Sequence, residues 1–200
     1  MAFPQGINFR GSSSFVTDPT NCDVITASAY PHTNAQGNTV GWQSTADVNT
    51  ADRSSFVDAR LAGINFNHDS SGEMVFQFDL PAAGTYTLTL ALGDEASAQN
   101  QQRVRVFDDT SLLATIGPTT TSGTTQLIDA AGNLWSAVAW PGSNVTADLT
   151  FSTTTALFKV STQQTSSFGT IAHIFLAASG GGTNTTLTAA AGSFSLTGQT

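Results

Sequence analysis

Two adjacent carboxylates, Asp94 and Glu95, follow the stretch FQFDLPAAGTYTLTLALGD (residues 76–94). Side by side on a loop, they offer the hard oxygen ligands that calcium takes in sets of six to eight. The pattern D-x-D-x-D-G of a self-sufficient calcium loop is absent, so further ligands would have to come from distant loops, and a solvated turn is the plain alternative. Asp108-Asp109 reads as a turn, since aspartate bonds its own backbone there. A second set of candidates lies in the polar stretch 11–60. Tyr30 and Trp42 carry planar rings that stack on sugar faces at low entropic cost. Arg53, in the same stretch, joins them as a ligand-binding candidate. The alternative for Trp42 is a plug at one end of the fold.

Hydrolytic chemistry has thinner support. His32, His68 and His173 have no metal-ligand spacing. His68-Asp69 has the form of a dyad, yet Ser70 and Ser71 beside it make an acidic turn equally well. No G-x-S-x-G element marks a nucleophile, and fourteen scattered acids single out no glycosidase pair. A catalytic role is therefore not expected.

The bulk composition narrows the partners. The chain has 200 residues, with 40% hydrophobic and 9% aromatic, enough to bury a real core. Charged residues are only 10% and the net charge is −8. Lys159 is the sole lysine, and Arg103 and Arg105 are the only clustered basic residues, so nucleic-acid and anionic-membrane partners are not expected. The one cysteine, Cys22, allows no internal disulfide. The start, MAFPQGINFRGSSS, lacks the basic and apolar regions of a secretory signal, and no run approaches membrane-span length. The sequons at Asn144 and Asn184 then read as chance. A hydroxyl-rich, secreted-type surface without a signal fits a virion protein, released by lysis.

These residues must be positioned by strands, because period-two alternation dominates and helical periodicity is nearly absent. Met74, Phe76, Phe78 and Leu80 alternate with Val75, Gln77 and Asp79, Pro81 to Gly84 makes a turn, and Tyr86, Leu88, Leu90 and Leu92 alternate with Thr85, Thr87 and Thr89. That predicts a half-buried antiparallel hairpin. Further strands are expected over 103–107, 111–116, 135–140, 145–151, 156–160 and 170–177. The tetrapeptide GINF occurs at 6–9 and 63–66, which predicts two strands in similar environments. Residues 11–60 between them read as a long polar loop region. SGGGTNTT (179–186) has a linker's composition, so the expected organisation is a domain over 1–178 and a tail over 179–200. The fold class is all-β, an antiparallel two-sheet β-sandwich.

The opening Ile-Asn-Phe strand, FQFDLPAAGTYTLTLALGD, RVRVFDD, NVTADLTF and the closing TIAHIFLAAS together resemble the galactose-binding-like jelly roll, to which malectin-like domains and several carbohydrate-binding modules belong. The resemblance implies a module usually without catalytic residues. It often carries a structural calcium ion and binds glycans through loops at one end or on one sheet face. The tail resembles Ala/Gly/Thr/Ser segments of phage structural proteins.

The functional expectation is a non-catalytic module on a phage virion or similar surface assembly, with a decoration role and glycan recognition. Its sheet edges lack lysine guards, so pairing in a homo-oligomer or with virion partners is expected. The alternative is a carbohydrate-binding module accessory to a polysaccharide-degrading enzyme.

Overall fold

A computed structural model of the chain describes residues 3–12, 17–67, 72–120, 126–142, 145–162 and 168–179. The His68-Asp69 pair, the asparagines of both sequons and all but the first residue of the tail lie outside the described residues.

The alternating segments fold as two facing sheets in an antiparallel-dominated β-sandwich of jelly-roll type. The smaller sheet runs in the order β10 (Ser111–Thr119), β9 (Gln102–Asp108), β14 (Thr155–Thr162), β7 (Glu73–Asp79), β4 (Thr39–Trp42), β3 (His32–Thr33). The larger is built on β12 (Leu134–Ser136), β11 (Gln126–Ile128), β8 (Gly84–Asp94), β15 (Thr170–Ala178), β1 (Gln5–Phe9) and β2 (Cys22–Ile25). Beside that row, β13 (Ala147–Phe151) pairs with β8, and β6 (Gly63–Asn67) joins β5 (Val48–Asp52) to β15. One pair, β1 with β2, is parallel.

The core lies between the sheets, as period-two patterning demands. Phe76, Phe78, Tyr86 and Leu88 are all buried in it. Phe9, Trp42 and Phe76 form one aromatic cluster with ring centroids 5.0–5.5 Å apart. Each such buried ring contributes on the order of 2 kcal/mol by leaving water.

Three expectations change. First, the PAAG turn joins no hairpin: β7 pairs with β4 and β14 in the small sheet, and β8 pairs with β15, β11 and β13 in the large one. Both strands show an apolar face to the same core, and alternation alone does not say which sheet supplies the partner. Second, residues 11–60 are not a loop region, since they contain β2 to β5 and a 3-10 turn, Ala59–Leu61. These strands are two to five residues long, and all but β4 are only partly buried, so the alternation has too few residues to show. Third, residues 135–140 are not one strand: β12 ends at Ser136 and a 3-10 turn, Ala137–Ala139, follows.

The two GINF copies pair with the same strand, β15, but face opposite ways. Ile7 and Phe9 enter the main core, whereas Ile64 belongs to a second apolar cluster with Leu61, Leu127 and Trp140. The asparagines reverse accordingly. Asn65 accepts from the Trp42 indole Nε1 at 2.9 Å. Asn8 pairs with His173 Nδ1 at 2.8 Å and donates to Asp18 at 2.5 Å. Both are fully buried polar hubs.

Candidate binding clefts at the end of strand β8

Strand β8 ends at Asp94, and its last residue and the next one point to different sides. Asp94 lines a cleft of about 240 Å³ with Phe66, Ser97, Gln99 and Phe168. Glu95 lines a cleft of about 380 Å³ whose polar wall includes Ser54 and Ser55, and whose apolar wall includes Phe56, Val57, Ala137 and Val138. Arg53, just after β5, lines both. The segments that build the site are thus the connection after β5, the end of β8 and the turn after β12.

Arg53 and Asp94 form the ridge between the two clefts. The guanidinium donates Nε to Oδ1 at 2.7 Å and Nη2 to Oδ2 at 2.5 Å, a bidentate pair with Asp94 only 2% exposed. Paired carboxylate and planar fork are a geometrically specific match. Asp94 Oδ1 also accepts from the Ala96 amide at 2.9 Å, which fixes the turn carrying Glu95.

Glu95 differs. It is 6% exposed, its Oε1 meets no donor, and burial pushes its carboxyl up to about 7 against the opposing pull of the Val57 amide. A buried acceptor without a donor costs about 1–3 kcal/mol. Val57 and Val138, at the rim, are 55% and 80% exposed. The site therefore combines a desolvated acceptor, hydroxyls and an apolar wall.

The expected site residues separate. Arg53, Asp94 and Glu95 come together. Trp42 does not stack on a ligand: it is fully buried, its ring packed on Phe9 and Phe76 and its indole N–H spent on Asn65. Tyr30 is half-buried beside the small sheet, donating to Asp79 Oδ2 at 3.0 Å, and lines neither cleft. Asp94 and Glu95 do not fit the calcium expected of them. Asp94 gives both oxygens to Arg53, Glu95 is held toward its neutral form, and among the described residues no three His, Cys, Asp or Glu side chains converge. Asp108 is more than a turn residue. It is buried and accepts from the backbone and hydroxyls of Ser152 and Thr153, which hold it down to about 2.

His173 and Cys22 line a separate cavity of about 110 Å³ on the outer side of the large sheet. Burial lowers the imidazole to about 3 and raises the thiol to about 11. A neutral ring beside a protonated thiol is the reverse of an activated nucleophile pair.

Sequence reasoning missed Phe56, Phe66, Val138 and Phe168 as cleft residues. The signal for Val57 and Val138 was an apolar residue amid polar ones, which is common on any surface.

Neither a protein-family model nor a curated protein sequence matches this chain. Solved structures do resemble it. Bacteroides uniformis beta-glucuronidase 2, covalently bound to cyclophellitol-6-carboxylate aziridine, matches at TM-score 0.53 and 12% identity over 88% of this chain and 18% of that one. Bacillus subtilis protein YXIM matches at TM-score 0.51 and 14% identity over 88% and 40%. A family 35 carbohydrate binding module from an environmental isolate matches at TM-score 0.40 and 17% identity over 70% and 93%. The likeness to the first two establishes the fold, and this chain spans less than half of either protein.

Proposed function

We propose that this chain is a non-catalytic saccharide-binding module of the galactose-binding-like type, with the Glu95 cleft as its binding site. The observation that carries this reading is the Glu95 carboxyl, nine-tenths buried in an open cleft with one oxygen lacking a donor. A ligand rich in hydroxyls supplies that donor, and the gain is large because the acceptor is already desolvated. Phe56, Val57 and Val138 provide the apolar wall against which the C–H face of a sugar ring packs. Ser54 and Ser55 offer further exchangeable hydrogen bonds at the mouth. The fold similarity to part of a β-glucuronidase agrees with a place among carbohydrate-handling proteins, although fold by itself does not carry function. Virion decoration and homo-oligomer formation rest on composition and sheet-edge arguments alone, and the cleft geometry bears on neither.

The test is a saccharide array followed by calorimetry. Binding that weakens at least tenfold in Glu95→Ala while Tyr30→Ala binds normally is the expected result. A blank array, or affinity indifferent to Glu95, contradicts the reading.

A further inference from the structure

The cleft beyond the ridge is the feature that the Glu95 reading leaves unused. It is lined by Phe66 and Phe168, whose rings meet edge to face at 5.7 Å, and by Ser97 and Gln99. Phe168 is 39% exposed, a large apolar surface left in water at the mouth of a cleft.

Its position is built rather than incidental. Gln102, itself buried, donates Nε2 to the Phe168 carbonyl at 2.7 Å, while its Oε1 accepts from the Thr170 amide at 2.8 Å and hydroxyl at 2.9 Å. Asn67 takes the Gly169 amide at 2.6 Å and donates its own amide to the Gly169 carbonyl at 3.2 Å. The backbone from the Phe168 carbonyl through Thr170 is therefore held, and the Phe168 ring rests edge-on against Phe66. Preorganisation of this kind is what a binding surface gains from a fixed aromatic side chain.

Resting on the proposed function, we infer that the site takes a neutral oligosaccharide of at least two units, one ring in the Glu95 cleft and the next on Phe66 and Phe168, with the chain crossing the Arg53–Asp94 ridge. The two clefts share Arg53 as a common wall. The Glu95 cleft, at about 380 Å³, is within the range of roughly 300–1,000 Å³ for a ligand site, whereas the second, at about 240 Å³, is below it and suits an extension of the first better than a site of its own. Neutrality follows from charge. Among the described residues, the one cation lining the two clefts is consumed by the bidentate pair, and the other ionisable groups there, Asp52 and Glu95, are acids. A uronate therefore meets no free positive partner, while sugar hydroxyls can bridge the outward edges of the ion pair.

Calorimetry with neutral gluco-, xylo-, manno- and galacto-oligosaccharides of one to six units, and with a glucuronate-containing oligomer, tests this. The expected result is at least a tenfold rise in affinity between one unit and two or three. Phe168→Ala removes that rise and leaves monosaccharide affinity unchanged, and Ser97→Trp, which fills the second cleft from its exposed rim, does the same without touching a core residue. The uronate oligomer binds more weakly than its neutral counterpart. Affinity that does not depend on length, a length dependence untouched by both variants, or a preference for the uronate overturns the inference while leaving the Glu95 site standing. No binding by any saccharide overturns the Glu95 reading, and this inference with it.

Discussion

Glu95 is a carboxyl that the fold holds at a cost. Its folded-state value of about 7 lies above the ordinary carboxylate value, so between about pH 4.5 and 7 the native chain binds the extra proton. Stability contributed by the protonated form is present at low pH and lost as pH rises through 7. Glu95→Gln removes that loss: at pH 8 we expect it to be more stable than the parent by on the order of 1–3 kcal/mol, with the difference vanishing only below about pH 4.5. Urea unfolding at pH 8 and at pH 4 checks this. Ligand hydroxyls bond a charged carboxylate more strongly than a neutral acid. Saccharide affinity should therefore rise from pH 6 to pH 8 in the parent and stay level in Glu95→Gln. His173 has the opposite sign. Its value of about 3 lies below the ordinary imidazole range, so acidification below about 6.5 destabilises the native state through it. At this scale the sequence showed where carboxylates and arginine cluster along the chain, but not that Arg53 would reach across 41 residues to neutralise Asp94. Long-range pairing is a property of register, which single residues do not announce.

At the scale of elements, alternation identified β7, β8, β9, β13, β14 and β15 because each buries one face under a long apolar row. It did not identify β2, β3 or β5, which are short and largely half-exposed, nor β4, whose buried Val40 and Trp42 flank a glycine in a strand of only four residues. Gly41 explains how β4 fits. It has φ of +146°, and a Cβ there would come within 2.6–2.9 Å of the Tyr30 and Ala29 backbone. Gly41→Ala is expected to cost at least 2 kcal/mol from strain and backbone collision, measured as a lower urea midpoint. The turn from β13 to β14 depends on Asp108, which ties Ser152 and Thr153 to the end of β9. Asp108→Asn is expected to lose about 1–3 kcal/mol at pH 7. Because the parent's carboxyl is held down to about 2, the difference shrinks only as pH falls from about 4 toward 2.

For the whole molecule, the two-layer architecture was readable from period two and from the absence of any helical stretch, while the pairing order was not. The GINF copies show why. Identical residues lie against the same strand, β15, yet one presents isoleucine to the main core and the other to the second cluster. Facing is decided by the strand's partners, not by its own letters. The same applies to the clefts, which assemble residues 53–57, 94–99, 137–138 and 168 from four separate connections. A jelly roll that brings these ends together leaves two clefts with an ion pair between them and a desolvated carboxyl in one. An amide-resolved NMR titration of the uniformly labelled chain with neutral oligosaccharides tests this most directly. The account predicts shifts concentrated at Arg53 to Val57, Glu95 to Ser97, Val138 and Phe168. Shifts centred on the small sheet around Tyr30, or none with any saccharide, would contradict it.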